Sequence, residues 1–122
     1  MWRQWIGLPH CFRADPRDGI GADCLLMVWA VLDQSAASHP ALNPTWLDMT
    51  EVGDHDELIA AYKSLTMPLA APEEHAVTLF STERTIGIGI VVDDGLLHVH
   101  HKRGVQWLPI ARCKTLEFRK FA

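Results

Sequence analysis

The periodicity of the apolar residues changes once along this chain, near residue 76, and that change restricts the fold more than any other feature. Ahead of it the spacing is helical. Leu25, Val28, Trp29 and Leu32 follow i, i+3, i+4, i+7, and Leu26, Met27 and Val31 widen the stripe. A helix apolar on so many sides belongs at the centre of a molecule. Asp23 stands where an N-cap would, its carboxylate placed to accept from an orphan amide of the first turn, which makes Cys24 the first helical residue. Asp54 is positioned to cap a second helix of about 11 residues, with Leu58, Ile59, Tyr62 and Leu65 on one face. Pro68 and Pro72 then close the helical half. Residues 13–22, with Pro16, Gly19 and Gly21, read as loop, and residues 35–53 read as irregular because Pro40 and Pro44 break longer elements.

Beyond residue 76 the runs 76–80, 85–92, 96–101, 105–108 and 115–121 are rich in Val, Ile, Leu and Thr, with Asp93-Asp94-Gly95 and Lys102-Arg103-Gly104 between them. They read as an antiparallel meander of about five strands. Helices first and strands afterwards define an α+β domain. The 122 residues make one domain, residues 1–122, and a chain of this size buries roughly two thirds of its unfolded surface, enough for a core without staples. A net charge of −4 excludes a broad phosphate-binding face, so nucleic acid is not an expected partner. No apolar run approaches the roughly 18–20 residues of a membrane span. Met1-Trp2-Arg3-Gln4-Trp5 lacks the pattern of a secretory signal peptide, so synthesis is expected in a cytoplasm. Cys11, Cys24 and Cys113 are odd in number, which argues against a disulfide framework and leaves a free thiol.

Cys24 is the chemically suggestive residue. A buried cysteine in an apolar helix is usually inert core. At a first helical turn, however, the unpaired amides and the macrodipole favour a thiolate and offer donors to an oxyanion. Gly19 and Gly21 in the preceding loop would let a substrate backbone approach, with Asp23 and Gly21 supporting the site.

Three stretches carry a resemblance. Trp5-Ile6-Gly7-Leu8-Pro9, then Asp18-Gly19-Ile20-Gly21-Ala22-Asp23-Cys24, then Gly89-Ile90-Val91-Val92-Asp93-Asp94-Gly95-Leu96-Leu97-His98 are similar, in order and spacing, to the signature of the NlpC-like, papain-fold cysteine peptidases of bacterial cell walls. Gly104-Val105, Leu108-Pro109-Ile110 and Phe118-Arg119 resemble the phage-tail branch of that family. The resemblance implies a papain-like, NlpC-type fold, with N-terminal helices packed on a C-terminal antiparallel sheet. It also implies cleavage of peptidoglycan stem peptides without a cofactor, other tail or hub proteins as partners, and a place in the virion. Cys24 would be the nucleophile and His98 the orienting polar residue. The family's general-base histidine falls on Gly87, which has no imidazole, and its small residues after the cysteine are Leu25-Leu26 here.

A two-residue turn at Asp93-Asp94 would set His98 opposite Gly89 and His100 opposite Gly87, so His100 is a candidate to fill the empty base position. Alternatively, Gly87 and Gly89 serve only to let the sheet pack tightly on the Cys24 helix. Three readings follow: a working peptidase, a catalytically inactive structural subunit of the tail, and a metal-binding domain using His98 and His100 with Asp93 or Asp94. Trp2 and Trp5 are candidates to dock on a neighbouring subunit.

Overall fold

Helix α1 (Cys24–Gln34) forms where the spacing places it, and Asp23 starts it. Asp23 is extended at φ −86° and ψ 137°, and its Oδ1 accepts the Leu25 amide at 2.9 Å. Its Oδ2 accepts the Arg13 amide at 3.1 Å, which ties the preceding loop to the helix start. Leu25 and every residue from Met27 to Leu32 are buried, as expected of a central helix. This computed structural model describes residues 1–37, 39–47, 55–81, 86–113 and 116–122. Helix α2 (His55–Leu65) buries Leu58 and Tyr62, with Ile59 half-buried. Leu65 departs from the expected face: it is exposed at the helix end, where the chain passes directly into a strand. The proposed cap Asp54 lies outside the described residues.

Residues 44–47 are helical, where the sequence reads as irregular. The Asn43 side chain accepts the Thr45 amide at 3.0 Å, and Pro44 takes the first helical position, where a missing N–H costs nothing. A proline read as a breaker is here a starter. The turn delivers Trp46 edge-on to Trp29 with ring centroids 5.5 Å apart, and Phe121 packs on Trp29 at 5.8 Å.

One antiparallel sheet follows, with strands β1 (Thr66–Pro68), β2 (Val77–Ser81), β3 (Ile86–Val92), β4 (Gly95–His100), β5 (Gly104–Pro109) and β6 (Arg119–Phe121). Their order across the sheet is β1-β6-β2-β3-β4-β5. The architecture is therefore α+β, with six strands rather than about five. The extra strand is β1, whose Pro68 sits at an edge, where a lost donor is tolerated. Strands β2 to β5 form the expected meander, but β6 returns to the opposite side, between β1 and β2. The outer edge of β5 is already occupied: Gly7 N–H donates to Val105 O at 3.0 Å, and Val105 N–H donates to Leu8 O at 2.9 Å.

The register sorts the strand residues onto two faces. Val77, Leu79, Ile88, Ile90, Leu97 and Val105 join α1 in the main core. Ala76, Val91 and Leu96 face the other way and meet Cys113 and Phe118 in a second, smaller core. The N-terminal tryptophans pack within their own chain. Trp5 is buried in the main core, and Trp2 stacks on Trp107 with centroids 6.3 Å apart. Arg3 then reaches Asp93 at 3.0 Å. Among the described residues no helix is long and apolar enough to cross a membrane.

Candidate functional site

Cys24 opens α1 directly after the buried Asp23. Part of the residue reaches the surface, but its sulfur is enclosed by protein. The β3–β4 ladder runs from Val92↔Gly95 to Ile90↔Leu97 and ends there. Just beyond that end, the Ile88 amide contacts Sγ, joined by the amides of Leu25 and Cys24 itself. The donors expected at a helix N-terminus are thus present. They are outweighed. Burial pushes the thiol from an ordinary 9.0 up to about 12, the Asp23 carboxylate adds to the rise, and the amides offset it only in part. The Leu25 amide is also shared, since it already donates to the Asp23 cap. The residue that starts the helix therefore works against ionisation of the thiol beside it.

Among the described residues no imidazole acts on the sulfur. The turn itself is as expected. Asp93 and Asp94 have φ of 50° and 61°, the two-residue type I′ geometry, and the pairing of Val91 with Leu96 follows from it. Because the ladder stops at Ile90↔Leu97, the pairs Gly89/His98 and Gly87/His100 are not made. His98 is buried and meets Phe80 edge-on at 5.8 Å, and its Nε2 has no hydrogen-bond partner. Burial lowers its pKa below 6.5, and nearby His100 lowers it further. His100 is otherwise engaged: its Nδ1 accepts the amides of Lys102 and Arg103, both at 3.1 Å, and its ring stacks on His101. An Nδ1 lone pair committed to two turn amides is not free to take a proton from a thiol.

The glycines have a different purpose from packing on α1. Gly87 pairs with Phe80, and a Cβ at 87 would lie 2.6 Å from Phe80 Cε2. A Cβ at 89 would lie 2.8 Å from Leu96 Cδ1. Phe80 on β2 and His98 on β4 flank β3, and the side-chain-free positions 87 and 89 let their rings meet across it. A side chain at 87 would point to the face of the sheet away from α1, where the ring of Phe80 stands, a residue not singled out from the sequence. Its signal was available, since Phe80 alternates out of phase with Val77 and Leu79. Gly21 likewise permits close packing: a Cβ there would lie 2.8 Å from Cys11 Cβ and 3.1 Å from Pro9 O. The loop is held shut against the N-terminal segment by Ala22 N–H to Pro9 O at 2.9 Å and Cys11 N–H to Ala22 O at 3.1 Å.

For the metal reading, no group of three or more His, Cys, Asp or Glu side chains is arranged to hold an ion among the described residues. His98 and His100 do not form half of such a site, because one nitrogen is sealed and the other caps a turn. No protein-family model, curated protein or solved structure matches the chain.

Proposed function

We propose that this chain carries the scaffold of the NlpC-like, papain-fold cell-wall cysteine peptidases without their hydrolytic chemistry, and serves as a structural component of a phage tail tip or hub. The scaffold part rests on the order of parts: an Asp-Cys pair opening a central helix, that helix packed on an antiparallel sheet, and a hairpin carrying a histidine on its second strand. The loss of chemistry rests on one observation, a thiol contacted by backbone amides, with a carboxylate acting on it through space and no imidazole doing so among the described residues. A cysteine peptidase needs a partner that takes the thiol proton and returns one to the leaving amine, a task worth about 10²- to 10⁴-fold. A helix dipole does not donate that proton.

The test is digestion of purified peptidoglycan by the protein and by Cys24→Ala. Neither is expected to release soluble fragments; release by the protein but not by the variant would contradict the lost chemistry. The structural role requires the chain to co-purify with intact tails, and tails that lack it would refute that role.

A further inference from the structure

A cleft of about 180 Å³ lies between α2 and the sheet, and no residue of α1 lines it. Its floor is apolar, formed by Ile59, Leu79, Phe80 and Ile86, and its rim carries Lys63, Glu117, Arg119 and Tyr62. The volume is below the ~300–1,000 Å³ of drug-sized sites, so the occupant is small. The rim charges are what make it specific. Arg119 is fixed in place: its Nε donates to Thr66 Oγ1 at 2.7 Å, and its Nη2 donates to Thr66 O at 3.0 Å and Lys63 O at 3.3 Å. That leaves Nη1 without a hydrogen bond among the described residues. Neither the Lys63 ammonium nor the Glu117 carboxylate has an ion-pair partner among the described residues. The Tyr62 hydroxyl donates to Val77 O at 3.2 Å, and Arg119 and Glu117 act on it with opposite sign.

Two cations with donors uncommitted among the described residues, and a carboxylate likewise unpaired among them, set around an apolar floor, match a molecule carrying both charges on a small apolar body. We infer that this cleft binds an apolar α-amino acid as its zwitterion. The carboxylate meets Lys63 and Arg119, the ammonium meets Glu117, and the side chain lies on the Ile59–Leu79–Phe80–Ile86 floor. A guanidinium already held by three hydrogen bonds loses little freedom on binding a carboxylate. The inference is independent of Cys24 and stands whether or not the thiol is silent.

Calorimetric titration of the full chain with four probes tests it: leucine, leucinamide without the carboxylate, N-acetyl-leucine without the ammonium, and glycine without the side chain. Leucine is expected to bind at least about tenfold more tightly than each of the others, a difference of roughly 1.4 kcal/mol. Lys63→Glu is expected to weaken leucine at least tenfold. Glu117→Gln is expected to weaken leucine while leaving N-acetyl-leucine unchanged, a pattern that a folding defect does not produce. Equal binding of leucine and either blocked derivative, or no binding of leucine at millimolar concentration, would overturn the assignment.

Discussion

Phe80 packs over the side-chain-free position 87, and Gly87→Ala measures how firmly. An alanine Cβ at 87 would sit 2.6 Å from Cε2 and 2.8 Å from Cζ of that ring, well inside the ~3.5–4.0 Å of favourable carbon contact. The ring must move, and it gives up its edge-on contact with His98 in doing so. Overpacking of this kind costs about 1–3 kcal/mol, while replacing a strand glycine by alanine returns roughly 0.5–1 kcal/mol of backbone entropy. The substitution should therefore destabilise the protein by up to roughly 2.5 kcal/mol. In a Phe80→Ala background the obstruction is gone and only the entropic term survives, so Gly87→Ala should stabilise by about 0.5–1 kcal/mol. Urea unfolding of the four proteins, read at constant slope, gives both values and their difference. Effects of Gly87→Ala that agree within about 0.5 kcal/mol in the two backgrounds would show the sites to be independent and refute the reasoning.

Two further perturbations probe other parts of the account. Gly104→Ala puts a side chain on a residue at φ +75° and against Leu8 O; it should cost roughly 2–4 kcal/mol in urea unfolding and loosen the N-terminal segment, seen as a shift in tryptophan emission. His98 has a folded pKa lowered from 6.5, first by burial and then by His100, so as pH falls the unfolded chain takes up its proton before the folded chain does. Its contribution to stability is full above about pH 6.5 and is lost as pH falls below that value; the urea midpoint should drop more between about pH 7 and pH 5.5 in the protein than in His98→Phe, and equal drops would remove the effect.

Much of the scaffold was legible because it depends on local chemistry. The Asp23 cap, the apolar stripe of α1 and the positive-φ turn at Asp93-Asp94 each follow from residues within a few positions of one another. The misreadings involve distance or context. Pro44 reads as a breaker because its role as first helical residue depends on Asn43 before it and on a core waiting for Trp46. The place of β6 depends on β5 being covered by Gly7 and Leu8 from the far end of the chain. At the candidate site, sequence locates the sulfur at the start of a buried helix but not what surrounds it. The contact with Ile88 arises where a ladder happens to end, and the crowding at Gly87 comes from a neighbouring strand. Asp23 illustrates the limit best. Its capping role is plain from position alone, whereas its charge opposes the reactivity that the same position suggested.

The central claim is that Cys24 is a silent thiol, and the pH dependence of its alkylation addresses that directly. A chain keeping only this cysteine, with Cys11→Ser and Cys113→Ser, would be treated with iodoacetamide across the pH range, folded and in urea. A rise from 9.0 to about 12 lowers the thiolate fraction at neutral pH by about a thousandfold, so the folded protein should react at least that much more slowly than the unfolded chain, with a rate still climbing at the alkaline limit. A folded-state rate that levels off below about pH 8, as activated cysteines do, would contradict the account.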